Sequence, residues 1–155
     1  MVSNNVTRLL DNRNVQYQTF QLPTEKLGAD DVSLLLDVPL EIVFKSIVIN
    51  RRNVGKPILA VVPGNKEVDL KRLAKAVGEK KVSPATQREA EKITRLQAGG
   101  ISPLALINRG FEILIDESVL GYDAIHISGG ERGLNIRLHP QDLVQLTRAK
   151  TAVIC

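Results

Sequence analysis

The chain has 155 residues, a length suited to one domain around one continuous core. Hydrophobic residues make up 43% but aromatics only 3%, with no Trp, so the core must be aliphatic; this argues against a base-stacking platform as the main nucleic-acid device. The net charge of +4 tolerates a phosphate-bearing partner without specifying one, and a lone cysteine, Cys155, cannot form an internal disulfide and fits a reducing compartment.

Ser3 or Asn4 can cap a short helix running through Leu10 and breaking at Asn12 to Asn14. Val15 to Leu22 alternates apolar and polar residues, a strand pattern ending at Pro23. Asp30 and Asp31 precede Val32, Leu34, Leu35 and Leu36, the pattern of a short helix with acids at its N-terminus. Ile42 to Asn50 carries Val43, Lys45, Ile47 and Ile49 on one face and Ile42, Phe44, Ser46 and Val48 on the other. Both faces are largely apolar, which predicts a central buried strand. Arg51 to Lys56 makes a turn, and Pro57 to Val62 is the partner strand.

Asp69 caps a helix through Val77 that stops at Gly78. Ser83-Pro84 predicts the opening of another helix, running to about Lys92. Gly99 to Pro103 reads as a structured loop. Phe111 to Ile115, Ala124 to Ser128 and Leu134 to Leu138 read as strands. Pro140 starts a last helix through Leu146, and Ala152 to Ile154 can close the sheet. Strands and helices interleave without regular βαβ spacing, and short turns imply antiparallel pairs. The expectation is a single α+β domain over residues 1–155, with a mixed, strongly curved β-sheet flanked by helices. No leader pattern follows Met1, and the apolar runs are too short to span a bilayer, so a cytoplasmic protein without membrane contact is expected.

Most familiar chemical signatures are absent. There is no GxxxxGK loop and no GxGxxG after a strand. His126 and His139 are the only histidines, and with one cysteine they assemble no metal-ligand set, so no metal is expected. A pair between Ser102 and His126 lacks a nucleophile elbow around the serine. Lys45 stands out because a lysine in a strand apolar on both faces is costly to bury without a partner. It either snorkels from the strand end or lines a pocket and meets an anionic or carbonyl oxygen. Gly99-Gly100-Ile101-Ser102-Pro103 and Ser128-Gly129-Gly130 offer unobstructed backbone N–H groups that could face it.

These residues carry a resemblance. Phe44-Lys45-Ser46-Ile47-Val48, Val61-Val62-Pro63, Val68 to Ala76, Gly99 to Leu104 and Ile127 to Leu134 stand in an order and spacing that resembles the YbaK family. That family includes the ProX proteins and the inserted editing domain of bacterial prolyl-tRNA synthetases. The resemblance covers nearly the whole chain, and the GGxSP and SGGxRGL motifs together carry it. It implies a mixed sheet of about six or seven strands curled into a partial barrel. It also implies hydrolysis, in trans, of the ester joining a wrong amino acid to tRNA, with Cys-tRNA(Pro) as first candidate and alanine or another small residue as alternatives.

By that resemblance Lys45 positions the substrate, and the glycine loops hold the aminoacyl-adenosine end, which maps to Gly99, Gly100, Ser102, Pro103, Ser128, Gly129 and Gly130. Loop amides near Gly100 would stabilise the oxyanion, with no metal or organic cofactor implied. The nucleophile would be water or, for cysteine, the substrate's own thiol. The cysteine-clearing branch carries Tyr where Phe20 sits and Asp where Asn135 sits, so both count as substrate-binding positions whose change should shift preference or rate. Thr24 to Gly28 departs from the pattern but should form pocket wall. The acceptor end of mischarged tRNA is the expected partner, with prolyl-tRNA synthetase or an elongation factor lending recognition. Arg13, Lys26, Arg132 and the Lys71 to Lys81 group are the phosphate candidates. The competing readings are a non-catalytic binder of tRNA ends, nucleotides or a synthetase, and a hydrolase of other small esters.

Overall fold

A computed structural model describes residues 3–52 and 54–155. Apolar residues on both faces of two neighbouring strands organise the fold. β2 (Phe44–Arg51) and β3 (Ile58–Pro63) pair antiparallel, with Lys45 opposite Val62 and Ile47 opposite Ala60. All six residues of β3 are buried. Leu59 and Val61 feed one apolar cluster with Phe44 and Val48. Ile58, Ala60 and Val62 feed a second with Ile49 and Leu73. Fully burying each such aliphatic side chain stabilises by about 1.5–3 kcal/mol, which fixes these strands at the centre. The turn expected over 51–56 joins them, and its residue 53 lies outside the described residues.

Five strands form this sheet in the order β4-β2-β3-β5-β8. β5 (Glu112–Asp116) runs parallel to β3, and β8 (Lys150–Ala152) runs parallel to β5. A second sheet has the order β1-β7-β6, built from β1 (Tyr17–Gln21), β6 (Ile125–Ser128) and β7 (Leu134–Leu138), all antiparallel. An isolated parallel bridge from Val43 to His126 joins the two sheets. The α+β class is as expected. The described residues hold eight strands in two sheets, and no closed barrel forms.

The helix expected from Ser83-Pro84 is not there. Val82–Pro84 is β4, paired with the outer side of β2, and the helix starts only at α4 (Gln87–Thr94), capped by Thr86. The reason is steric and tertiary. The residue before a proline avoids the helical region, an edge strand can spare the N–H that proline lacks, and Val82 is buried in the second cluster. The Ala85 N–H then donates to the Val48 carbonyl, extending the edge pairing.

The other helices follow their caps. In α1 (Asn5–Asn12) the Asn4 side chain accepts from the Thr7 N–H. Asp31 in α2 (Ala29–Leu36) accepts from the Gly28 N–H. Asp69 accepts from the N–H groups of Lys71 and Arg72 at α3 (Leu70–Ala76). Pro140 occupies the first turn of α5 (Pro140–Thr147). No helix among the described residues is long and apolar enough to cross a membrane.

Candidate active site

The two sheets part beyond the Val43–His126 bridge and leave a cleft of about 290 Å³. Its walls come from four segments distant in sequence. Val43 and the first half of β2, Phe44 to Ile47, supply one segment, and the loop and helix start after β1 supply Glu25, Leu27, Gly28 and Val32. The first glycine loop supplies Ala98, Gly99 and Ile101, and the ends of β6 and β7 supply Ser128, Leu134 and Asn135. The expectation that Thr24 to Gly28 would form wall is met by Glu25, Leu27 and Gly28.

Lys45 is the second residue of β2, and its Nζ sits 3.0 Å from Glu67 Oε1 and 3.4 Å from the Gly64 carbonyl. Lys45 lines the cleft, and its side chain is partly exposed, at 22%. Glu67 is 90% exposed, and such surface pairs are worth only about 0–1 kcal/mol. The pair leaves the lysine head group open to exchange with another acceptor. Gly64 is there for close approach, since a Cβ would lie 2.6 Å from Leu40 Cδ1 and 2.9 Å from the Val43 carbonyl oxygen.

The glycine loops touch each other. A Cβ on Gly100 would lie 2.9 Å from both Glu131 Cα and C, and 3.0 Å from the Arg132 nitrogen. Two side chains outside the motifs, Glu91 and Asn4, and one within them, Arg132, hold this arrangement. Glu91 of α4 accepts from the Ala98 N–H at 2.7 Å, and Arg132 Nε donates to the Ala98 carbonyl at 2.7 Å. Asn4 Nδ2 donates to the Gly129 carbonyl at 2.9 Å and to Glu131 Oε1 at 3.0 Å.

Of the residues singled out in the sequence, Lys45, Gly99, Ser128 and Asn135 line the cleft. Gly100, Ser102, Pro103, Gly129, Gly130 and Phe20 are not among its lining residues. Ser102 is fully buried, and its Oγ accepts from the Leu104 N–H to cap a single 3-10 turn, Pro103–Leu106. It is therefore not paired with His126. The loop amides are also largely committed. The Gly100 N–H donates to the Gln97 carbonyl at 2.8 Å, the Gly129 N–H to the Leu134 carbonyl, and the Gly130 N–H to Ser128 Oγ. The uncommitted wall amides in the first loop are those of Gly99 and Ile101. Gly99 has φ +91°, a turn position that favours glycine.

Phe20 and Asn135 face each other across β1 and β7, and both reach His126. The Phe20 and His126 ring centroids are 5.4 Å apart at 50°. His126 Nδ1 lies 2.8 Å from Asn135 Oδ1. Burial pushes the His126 pKa down and the Arg137 charge adds to this, while the Asn135 bond opposes it; the net direction is down. Sequence reading missed His126, Glu91, Glu67 and Asn4 as parts of the site. Only the spacing of Asn4 from Thr7 left a local signal, and it pointed to a cap. No group of three or more potential metal-ligating side chains occurs among the described residues.

Among the phosphate candidates, Lys26 and Arg132 border the cleft, since a Cβ on Gly99 would lie 3.2 Å from Lys26 Cα and 3.6 Å from Arg132 Cγ. Lys71 and Arg72 lie on exposed positions of α3, whose Leu73 and Ala74 are buried in the second cluster.

The cleft is small and largely apolar, and its wall brings together one lysine, Lys45, the hydroxyls of Ser46 and Ser128, and the uncommitted amides of Gly99 and Ile101. The chain belongs to the aminoacyl-tRNA editing domain family, whose model matches residues 25–146. It is 34% identical over 152 residues, 97% of this chain and 92% of the other, to EbsC of Enterococcus faecalis, provisionally named a Cys-tRNA(Pro)/Cys-tRNA(Cys) deacylase. It is 24% identical over 94 residues to the prolyl-tRNA editing protein ProX of Acetoanaerobium sticklandii, covering 59% of this chain and 57% of that protein. The fold matches a crystal structure provisionally identified as a trans-editing enzyme for prolyl tRNA synthetase, with TM-score 0.78, 24% identity and coverage of 99% and 98% of the two chains. Another crystal structure, of a hypothetical protein, gives TM-score 0.89 at 21% identity over 97% and 99%.

Proposed function

We propose that the protein is an aminoacyl-tRNA deacylase acting in trans, and that its substrate is tRNA carrying a small wrong amino acid, with Cys-tRNA(Pro) first. The observation that carries the reading is Lys45 on the wall of a cleft shared with the first glycine loop, in a member of an editing family. A volume of about 290 Å³ is at the lower end for ligand pockets, which suits a small aminoacyl group. The EbsC name supports cysteine as the group removed.

In this reading Lys45 leaves Glu67 and donates a charge-assisted hydrogen bond to an oxygen of the aminoacyl-adenosine end. The Gly99 and Ile101 amides are the available donors for the tetrahedral oxyanion, in place of Gly100. Water, or the thiol of a bound cysteine, attacks the ester carbonyl. The C–O bond to the ribose then breaks, the ribose oxygen takes up the proton that the attacking water or thiol gives up, and the free amino acid or its thiolactone leaves. Lys26 and Arg132 beside the cleft are the phosphate contacts of choice for the incoming acceptor end, in which case binding weakens as salt rises.

The test is deacylation of tRNA charged with Cys, Ala, Ser, Thr or Pro by the wild type and by Lys45→Ala. Hydrolysis of one or two mischarged species, lowered about 100-fold or more in the variant, is expected. Absence of hydrolysis across the panel would refute the enzyme reading and leave a binder of tRNA ends.

A further inference from the structure

The second sheet has two unlike faces. Ile125, Ile127, Ile136 and Leu138 point into the main apolar cluster. The opposite face carries Phe20, His126, Ser128 and Asn135, with Phe20 and Ser128 both in register with Asn135. A buried imidazole on a β-strand needs a reason, and here its partner is a wall residue of the cleft.

Asn135 is 4% exposed and His126 is 2% exposed. The carboxamide offers one acceptor oxygen and an NH2 with two donors. Its Oδ1 is engaged by His126 Nδ1 at 2.8 Å. Its Nδ2 makes no hydrogen bond, yet no buried side-chain nitrogen or oxygen among the described residues is left unpaired. Nδ2 must therefore reach the small accessible surface that Asn135 has, and that surface is the wall of the cleft. A free carboxamide can rotate to exchange its oxygen and its NH2. A neutral imidazole protonated at Nδ1 stops this, because the exchanged amide would set N–H against N–H.

We propose that His126 is a positioning residue: its Nδ1–H locks the Asn135 carboxamide so that the NH2 group faces the cleft and donates to an oxygen or sulfur of the bound aminoacyl group. Phe20 completes the arrangement by packing against the imidazole. The inference rests on the reading of the cleft as an aminoacyl site. His126 acts only through Asn135 and has no contact with substrate.

The experiment is a comparison of kcat/KM for the preferred mischarged tRNA in wild type, His126→Phe, His126→Asn, Asn135→Ala and the double variant His126→Phe/Asn135→Ala. Phenylalanine keeps a ring against Phe20 but lacks the donor; asparagine places an N–H near the position of Nδ1. The expected loss is about 3- to 10-fold for His126→Phe, the worth of one neutral hydrogen bond. His126→Asn should stay within about 2-fold of wild type. In the Asn135→Ala background, His126→Phe should add no further loss, because the group it orients is gone. Unchanged kcat/KM in His126→Phe, or losses that multiply in the double variant, would overturn the proposal.

Nitrogen NMR of the histidine ring provides a readout independent of turnover. At neutral pH the Nδ1–H tautomer is expected. The Nε2–H tautomer would mean that Asn135 Nδ2 donates to a bare Nδ1 and turns its carbonyl to the cleft, which refutes the orientation. If no mischarged tRNA is hydrolysed, the functional reading fails while the tautomer still decides the orientation.

Discussion

Replacing Gly100 by alanine should destabilise the whole protein, although Gly100 does not line the cleft. An alanine Cβ would sit 2.9 Å from two main-chain carbons of Glu131 and 3.0 Å from the Arg132 nitrogen. All three atoms are backbone, so no rotamer change relieves the contact and the two glycine loops must separate. Overpacking of this kind costs about 1–3 kcal/mol. In a chain of this length each kcal/mol lowers Tm by about 2–4 °C, so a fall of about 2–12 °C is expected. Calorimetry of Gly100→Ala beside Gly121→Ala is the assay, since nothing lies within 4 Å of a Cβ on Gly121. Deacylation should fall in parallel, because the separated loop carries Gly99 and Ile101. A Gly100→Ala protein that melts with the wild type refutes the packing argument. If such a protein is also inactive, Gly100 must meet the substrate directly.

Glu67→Gln should free Lys45 from its exposed partner and lower KM by up to about 5-fold at low salt with kcat little changed, the range set by a surface ion pair; a raised KM would make Glu67 part of substrate recognition. Asn4→Ala should cost about 1–2 kcal/mol in urea unfolding, because the residue caps α1 and also holds the Gly129 carbonyl. A loss within 0.3 kcal/mol of zero would mean that neither bond contributes. The pH dependence follows from His126. Its folded pKa lies below its ordinary 6.5, so between the two values the unfolded chain binds more protons and stability rises with pH. Stability should therefore fall as pH drops below about 6.5, by at most about 1.4 kcal/mol per pH unit from this group, and His126→Phe should flatten that slope. An equal slope in the variant would assign the effect elsewhere.

Much of the scaffold was legible locally. Asn4, Asp69 and Pro140 mark helix starts because capping is a matter of a few adjacent residues. The doubly apolar run around Lys45 marks a central strand because burial on both faces leaves no polar alternation. The same run exposed Lys45 as anomalous, and the glycine motifs carried the family resemblance that the comparison bears out. Ser83-Pro84 misled because a proline suits both a helix start and a strand edge, and the outer side of β2 made the choice.

The site's hydrogen bonding was decided only in three dimensions. Whether the Gly100 or the Ile101 amide is free depends on a turn that closes on the Gln97 carbonyl. Glu91 and Asn4 hold the loops from elsewhere in the chain, and Arg132 ties the second loop to the first. His126 and Asn135 are nine residues apart on adjoining strands, and their pairing depends on sheet register and on what covers the sheet. Sequence patterning records which residues leave water, because burial follows periodicity. It does not record which donor meets which acceptor, because that is set by contacts between segments whose meeting the chain's local chemistry does not specify.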